Sequence, residues 1–384
     1  MRLTEVVVRF HPYVGGVETT VYELGRRLAR RGHAVEVVCA DVPRGAPGEV
    51  EGMAVHRLPV FGRIADTPLS RGVARAVRAT RPDLVHAHMT PPWWCDGAAR
   101  AARGLRVPLL LTYNNDVVGR GLGGLVAGLY NRLFLPRLLR RAERVVLPNP
   151  AYRDLSPWLR AAPARFLSIP WGVDTERFAP ASLPSEPGLV LTFLAVLKAQ
   201  HAYKGLSPLL EALASVRRAG ATARLRVGGA GDQLPRYREE AARLGLGDAV
   251  DFLGFVPDAE LPAFFHSGHV FVLPSTTAAQ EGFGLVLLEA MASGRGVLTT
   301  PVVGMAAEIR EAGAGVLVAP GDVAALADAI VALAADPPPA RARLVAMGER
   351  GRRLVESRFD WERVTDAYER LLQELGTARR PERV

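Results

Sequence analysis

The chain has 384 residues, of which 49% are hydrophobic and 23% charged, a balance typical of a folded protein with room for two domains. A net charge of +9 would suit a nucleic acid, but no basic tail or nucleic-acid-binding motif accompanies it, so we expect no nucleic-acid partner. Two cysteines without metal-ligand spacing exclude a disulfide framework. No signal-like start and no apolar run of transmembrane length are found, which predicts a cytoplasmic protein.

Short apolar runs alternate with helical patterns through the first half of the chain. The predicted strands are 3–8, 35–39, 84–88, 109–113, 145–147 and 166–169. Helices are predicted at 17–31 and, in a basic stretch, at about 122–141. This alternation indicates parallel sheets that helices cover on both faces.

Residues 174–188 contain three prolines and interrupt this rhythm, and we interpret them as an inter-domain linker. The pattern then resumes, with predicted strands 191–197, 225–228, 250–253, 270–273, 297–300 and 316–318. Asp360 is a plausible N-cap for a helix to about residue 375. We therefore predict an α/β fold of two Rossmann-like, doubly wound parallel-sheet domains, 1–174 and 188–359, that face each other across a cleft.

Three segments at strand-to-helix junctions carry candidate chemistry. The first is HPYVGGVE at 11–18, where Gly15 and Gly16 precede a helix whose free amides suit a phosphate or sugar oxygen. A tight turn that needs glycine is the alternative interpretation. The loop lacks the G-x-G-x-x-G pattern, which disfavours a nicotinamide enzyme.

The second segment contains the only two lysines among 48 basic residues, Lys198 and Lys204. Two ammonium groups at the end of one strand can hold a diphosphate and neutralise a leaving group. Chance retention of lysine is the alternative.

The third segment is EGFGLVLLEAMASG at 281–294. Here Phe283, Gly284 and Leu285 open a helix whose first amides can receive a diphosphate. Glu281 would then accept hydrogen bonds from sugar hydroxyls and Glu289 from the ribose. About 12 Å would separate the two glutamates if the whole segment between them were helical, since they are eight positions apart. A capping or ion-pairing role for Glu289 is the alternative.

No Asp-x-Asp pair occurs, and we find no histidine pair with zinc spacing. We therefore expect neither a metal ion nor a cofactor, and the lysines and the helix start would neutralise the diphosphate.

These segments resemble the retaining GT-B glycosyltransferases of family 4. The similarity also includes VHAH at 85–88, TYNND at 112–116, IPWGVDTERF at 169–178, FLGFV at 252–256 and the helix from Trp361. The resemblance implies that helix 360–384 crosses back onto the first domain. It also implies transfer of a hexosyl group, with retention and without a metal ion, from a UDP- or GDP-sugar to a hydroxyl of a small-molecule, glycan or lipid-linked acceptor.

By that resemblance, catalytic roles fall on Glu281, Lys198, Lys204 and Asn114. Donor contacts would come from Gly15, Gly16, Gly254, Phe283, Gly284, Leu285, Val286 and Glu289. Two positions depart from the family pattern: Lys198 replaces the usual arginine, and Asn114 the usual histidine. Asparagine can hydrogen-bond but cannot carry a proton, so we expect that this enzyme needs no base there.

The acceptor side is less specified. Tyr13, His88, Trp93 and Asp116 are candidates, although aromatic residues there would equally suit core packing. The basic stretch at 122–141 would suit an anionic membrane surface, or it would simply be a domain helix with a solvated arginine face. A non-catalytic sugar-nucleotide-binding subunit and a sugar-nucleotide epimerase remain the alternative functions. A phosphorylase is disfavoured, since no pyridoxal-phosphate lysine site is evident.

Overall fold

The computed structural model of the protein describes residues 1–64, 67–89, 93–119, 121–160, 162–277, 281, 283–334 and 339–377. The chain forms two compact units. The first contains Met1–Trp171 together with Trp361–Val384, and the second contains Gly172–Asp360. No helix among the described residues is long and apolar enough to cross a membrane.

The first unit is built around a mostly parallel sheet. Its strands are β1 (Arg2–Val6), β2 (Ala34–Ala40), β3 (Glu49–Val50), β4 (Met53–Leu58), β5 (Val60–Ile64), β6 (Thr67–Ser70), β7 (Leu84–Met89), β8 (Leu109–Tyr113), β9 (Arg144–Leu147) and β10 (Phe166–Ser168). Its helices are α1 (Gly16–Arg30), α2 (Val73–Ala79), α3 (Trp94–Leu105), α4 (Leu122–Leu133), α5 (Leu135–Arg141), α6 (Tyr152–Leu155) and, from the chain end, α14 (Trp361–Thr377).

The strand order in this sheet is β10-β9-β8-β7-β1-β2-β4-β3, and β5 pairs with β6 in a separate hairpin. The order therefore reverses between β1 and β7. Central strands such as β8, LLLTY, are buried throughout, which is why they read as continuous apolar runs. Strands β3 to β6 were not predicted: β3 has only two residues, β5 and β6 are short and partly exposed, and β4 alternates between buried and exposed residues only in its first half.

Apolar clusters cover both faces of this sheet. One face packs against α3 and α5 through residues such as Trp94 and Leu138. The other packs against α1 and α14 through Leu24, Trp361 and Leu372. Four ion pairs join Arg27 of α1 and Arg31, which directly follows this helix, to acidic residues of α14. Helix α14 is thus part of the first unit. The predicted extension of this helix over 378–384 lies outside the described residues.

The basic stretch forms two helices where one was predicted. Helix α4 ends at Leu133 and α5 begins at Leu135, with Pro136 in the first turn of α5. Proline is tolerated there, since the first-turn amides need no partner within the helix, but it cannot lie inside a continuous helix.

The second unit contains one parallel sheet and its flanking helices. Its strands are β11 (Leu189–Leu194), β12 (Ala223–Gly228), β13 (Val250–Gly254), β14 (Val270–Leu273), β15 (Gly296–Thr299) and β16 (Gly315–Leu317). Its helices are α7 (Leu206–Arg218), α8 (Leu234–Arg243), α9 (Leu261–His266), α10 (Leu285–Ala292), α11 (Ala306–Ala312), α12 (Val323–Ala334) and α13 (Pro339–Arg358), with 3₁₀ turns at Ala199–Lys204 and Asp258–Glu260.

The strand order in the second sheet is β13-β12-β11-β14-β15-β16, and all neighbours are parallel. The predicted fold class of two doubly wound parallel-sheet domains is confirmed. Each predicted strand is present, although several begin or end a few residues from the predicted position. In this sheet the order reverses between β11 and β14.

The proline-containing segment interpreted as a linker is fastened to the second unit. Arg295 donates to the backbone carbonyls of Ala181 and Ser182, and Arg352 donates to those of Thr175 and Phe178. Phe178 is itself 2% exposed. Buried arginines that donate to main-chain oxygens replace the regular hydrogen bonds that an irregular segment cannot make.

Candidate active site

In an open parallel sheet, ligands bind beyond the carboxyl ends of the strands, at the point where the strand order reverses. In the second unit this point lies between β11 and β14. The segment with both lysines follows β11, and the segment with Glu281 follows β14. The sheet topology therefore joins two motifs that the sequence separates by more than 70 residues.

A glycine permits the two segments to touch. Gly205 has a φ of +85°, and a Cβ atom built on it would lie 2.2 Å from the Pro274 carbonyl oxygen. The backbone amide of Thr276 also donates to the Tyr203 carbonyl at 2.8 Å. Only glycine combines this backbone conformation with such a close approach.

Lys204 and Glu281 form a direct ion pair at this junction. The Lys204 Nζ atom lies 2.7 Å from Glu281 Oε2, and the Ser275 hydroxyl donates to the same oxygen at 2.7 Å. Glu281 is 3% exposed. Burial favours the neutral form of Lys204, but attraction by Glu281 and Tyr203 outweighs it and raises the pKa of Lys204. The ammonium therefore stays charged.

Glu289 lies on α10, in a different electrostatic setting. The residue is 9% exposed, and its buried Oε2 atom has no hydrogen-bond partner among the described residues. Burial raises the pKa of Glu289 to about 8, against a lowering by Arg177. A buried carboxyl group without a donor is costly unless a ligand supplies one. The capping and ion-pairing alternatives find no support in these contacts.

The start of α10 has the predicted form. Gly284 precedes the helix with a φ of +91°, and Phe283 is buried beside Phe359, with ring centroids 6.1 Å apart. Leu285 and Val286 form the first turn and are half-buried. Since the helix begins only at Leu285, the condition of the distance estimate, that the whole segment from Glu281 to Glu289 be helical, is not met.

The other two donor-side candidates lie at neighbouring strand ends. Lys198 is exposed and immediately precedes the 3₁₀ turn after β11. Gly254 ends β13 with a φ of +73°, and its carbonyl accepts the Gly229 amide at 2.7 Å. No contact described in the structure joins either residue to Lys204 or Glu281.

In the first unit the Gly15–Gly16 loop follows β1, beside the reversal of strand order. A Cβ atom on Gly15 would lie 2.4 Å from Glu18 Oε2, and one on Gly16 would lie 3.1 Å from the Trp171 ring. The Glu18 carboxylate ends a flexible side chain that can move aside, so the firmer restriction on a larger residue in this loop is the Trp171 ring beside Gly16. Tyr13 lies in the same loop beneath the Arg9 guanidinium, 4.8 Å from ring centroid to Cζ.

Asn114 and His88 lie near the carboxyl ends of β8 and β7. The Asn114 amide donates to the Met89 carbonyl at 3.4 Å, and its Oδ1 atom is buried with no partner in the described part of the chain. His88 is 1% exposed, and its Nε2 atom lies 2.7 Å from Glu5 Oε2. The His88 ring thus belongs to a buried cluster.

Asp116 and Trp93 have local structural contacts. Asp116 Oδ1 accepts the hydroxyls of Tyr113 and Ser156 at 2.7 and 2.6 Å. Trp93 is 41% exposed and immediately precedes α3, with a φ of +76°, and its amide donates to Asp96. Asp116 is thereby committed to holding the loop after β8, whereas the Trp93 ring is accessible.

One cluster was missed by sequence reasoning. Glu5, His86 and His88 are all buried, and one ligand atom from each lies within 4.8 Å of the others. The two histidines are two residues apart in VHAH, so they share a face of β7. Glu5 is 81 residues earlier, and its proximity depends on β1 lying beside β7.

Comparison with known proteins identifies the class. Residues 14–177 match the family described as Glycosyltransferase Family 4, and residues 188–336 match Glycosyl transferases group 1. The chain belongs to family 4 of the glycosyltransferases and has their GT-B fold.

Individual relatives span nearly the whole chain. A phosphatidyl-myo-inositol mannosyltransferase of Mycobacterium leprae is 30% identical, over 95% of this chain and 94% of its own. A GDP-mannose:cellobiosyl-diphosphopolyprenol alpha-mannosyltransferase of Komagataeibacter xylinus is 27% identical, over 98% and 94%.

Solved structures share the fold. Sucrose-phosphate synthase of Thermosynechococcus elongatus matches with a TM-score of 0.79 and 23% identity, over 98% of this chain and 99% of its own. HepE of Anabaena, solved with UDP and glucose, matches with a TM-score of 0.74 and 22% identity, over 97% and 100%. The protein is thus a glycosyltransferase of the kind that uses nucleotide sugars.

Proposed function

We propose that this enzyme transfers a hexosyl group, with retention and without a divalent ion, from a nucleotide-diphosphate sugar to a hydroxyl of a lipid-linked acceptor. The observation that carries the donor half is the Lys204–Glu281 pair, at the point where the strand order of the second sheet reverses. A charged ammonium beside a buried carboxylate suits the junction of an anionic diphosphate with a sugar that bears hydroxyl groups.

The diphosphate, the sugar and the ribose of the nucleotide-sugar donor each have a proposed binding group in the second unit. The first amides of α10 and the ammonium of Lys204 stabilise the diphosphate, and exposed Lys198 supplies a second cation. Glu281 accepts hydrogen bonds from the sugar hydroxyls. Glu289 accepts them from the ribose, which gives its buried, unpartnered oxygen the donor that it lacks in the free protein.

In the proposed reaction the bond from the anomeric carbon to the diphosphate oxygen breaks, and a bond to the acceptor oxygen forms on the same face. The acceptor proton moves to the departing diphosphate, because Asn114 cannot take it. Lys204 stabilises the charge on that leaving group. With the diphosphate as proton acceptor and Lys204 as the stabilising cation, the proposed reaction needs neither a metal ion nor a side-chain base.

Helix α4 supports a lipid-linked acceptor. Leu125 and Leu129 are 72% and 57% exposed, and Val126, Leu133 and Phe134 are exposed beside them. Arg132, Arg137, Arg140 and Arg141 are also exposed, and no acidic residue occurs from 117 to 142. Exposed leucines among arginines fit the surface of an anionic bilayer. We name this the α4 surface.

The names of two relatives point the same way. One acts on a phosphatidyl-inositol and the other on a polyprenol-linked sugar, and both names specify mannosyl transfer. GDP-mannose is therefore the first donor to test, with UDP-glucose as the second.

Donor transfer is tested by nucleoside-diphosphate release and by analysis of the glycosylated lipid, with and without EDTA. We expect turnover in wild-type protein with EDTA present, and loss of at least 100-fold in Glu281→Gln and in Lys204→Ala. Glu186→Gln is the matched control, because Glu186 also pairs with a cation, Arg226, at 2.8 Å. Wild-type turnover in Glu281→Gln, or strict dependence on magnesium or manganese, would overturn the donor assignment.

Membrane contact is tested separately, by co-sedimentation with phosphatidylglycerol and phosphatidylcholine vesicles. We expect binding only to the anionic vesicles and its loss in the double variant Leu125→Glu/Leu129→Glu. Leu155→Glu is the control, since Leu155 is 50% exposed but lies on α6. Equal sedimentation of wild type and the double variant would contradict a role for the α4 surface.

A further inference from the structure

The Glu5–His86–His88 cluster lies at the centre of the first sheet, on strands β1 and β7. Glu5 on β1 is the register partner of His86 on β7, and His88 follows on the same face of β7. Each of the three side chains contributes essentially no exposed surface. Three ligands on two adjacent central strands are held more rigidly than ligands on loops.

The distances suit a small divalent cation. His86 Nδ1 lies 3.1 Å from both carboxylate oxygens of Glu5, and His88 Nε2 lies 2.7 Å from Oε2. In a tetrahedral zinc site with bonds of about 2.0–2.1 Å, ligand atoms are about 3.3–3.4 Å apart. A shift of a few tenths of an ångström would bring the carboxylate to that separation from each imidazole, and all three ligand atoms already lie within 4.8 Å of one another.

Charge favours a cation at this position. The Glu5 carboxylate is fully buried, and every ionic contact that it makes in the described structure is to these two rings. A buried charge of that kind is costly unless a cation compensates it. Two histidines and one glutamate form a ligand set that zinc is known to use.

A second layer of contacts orients one ligand. His86 Nε2 lies 2.7 Å from the Thr112 hydroxyl, which in turn lies 3.5 Å from the Tyr368 hydroxyl on α14. When His86 binds a metal through Nδ1, its other nitrogen carries the proton and needs an acceptor. Thr112 supplies that acceptor.

We propose that Glu5, His86 and His88 bind a structural Zn²⁺ ion that fastens β1 to β7 beneath α14. This ion takes no part in the proposed sugar transfer. The proposal does not depend on the donor assignment, because all three ligands belong to the first unit.

The test is metal analysis of untagged protein, denatured with a chelator and refolded with or without Zn²⁺. We expect about one zinc per chain after refolding with Zn²⁺ and a higher thermal midpoint than for protein refolded without it. Refolding with Co²⁺ should give the visible absorption of tetrahedral cobalt. Since these readouts use wild-type protein and no donor sugar, they are independent of transferase activity.

Variants separate this cluster from adventitious binding. Glu5→Gln and His86→Asn should each lower zinc content at least five-fold. His56→Asn should not, because His56 and Glu36 form a partly exposed pair, 2.6 Å apart, without a third ligand. Wild-type protein that refolds with less than a tenth of an equivalent of zinc, or variants that retain the wild-type content, would overturn the proposal.

Discussion

Replacement of Glu289 by glutamine should stabilise the protein at alkaline pH. Burial raises the pKa of this carboxyl group from 4.5 to about 8, so folding favours its protonated form. Between these two values the folded state holds a proton that the unfolded state releases, and the stability falls as the pH rises. The rise of the pKa from 4.5 to about 8 lowers the free energy of unfolding by about 5 kcal/mol above pH 8 and leaves it unchanged below pH 4.5.

The magnitude at two pH values makes the prediction specific. At about pH 8.5 the glutamine variant should be more stable than wild type by about 4–5 kcal/mol, and at about pH 5.5 by about 1–2 kcal/mol. Denaturant unfolding of both proteins at each pH measures this difference. Glu240→Gln is the control, because Glu240 is 8% exposed but accepts the Ser207 hydroxyl at 2.8 Å.

Two results would refute this reasoning. A glutamine variant with the same stability gain at both pH values would show that Glu289 does not titrate in that range. A variant less stable than wild type at about pH 8.5 would show that the carboxylate has a partner in the folded protein. Either result would also weaken the assignment of Glu289 as an unsatisfied acceptor for ribose.

Three further predictions follow from contacts at and around the site. Gly205→Ala should cost several kcal/mol of unfolding free energy and abolish transfer, because its Cβ would lie 2.2 Å from the Pro274 oxygen. Gly220→Ala is the control: Gly220 has a similar φ of +81° but no atom within 4 Å of the added Cβ, so this change should cost only about 1–2 kcal/mol. Equal losses of stability in the two variants would contradict the close-contact argument. Arg295→Met should lower the free energy of unfolding by about 3–5 kcal/mol, since the guanidinium donates to five backbone carbonyls, among them those of Ala181 and Phe265. An unchanged midpoint in denaturant unfolding would show that solvent replaces these hydrogen bonds. Asn114→Ala should lower kcat only about ten-fold, the loss of one hydrogen bond, whereas a loss of about 10³-fold or more would indicate a role in proton transfer.

The site could be predicted in its parts but not in its assembly. Lys204 and Glu281 were both identified from local motifs, because a glycine-containing strand-to-helix junction is visible in a short stretch of sequence. Their 2.7 Å contact was not predicted, since it requires β14 to lie beside β11 and Gly205 to pack on Pro274. The unpartnered state of Glu289 depends likewise on what surrounds α10 in three dimensions.

Irregular segments were the least predictable. Residues 174–188 have the composition of a linker, yet Arg295 ties this segment to the second unit by binding the carbonyls of Ala181 and Ser182, which lie 114 and 113 residues earlier in the chain. Proline content reports local backbone preference and carries no information on such distant donors. The hairpin of β5 and β6 was missed because its two strands are short and only partly buried, and its register is set by pairing.

The sequence by itself determined the alternation of buried strands and amphipathic helices, and with it two doubly wound parallel sheets. It also determined where the glycine-containing loops lie. Strands and helices repeat their apolar residues every two to four positions, and the loops are the places where this repeat stops. Only the tertiary structure decided which distant residues meet: Lys204 with Glu281 in one sheet, and Glu5 with His86 and His88 in the other. Strand order and register decide such contacts, and both arise from the packing of the whole domain.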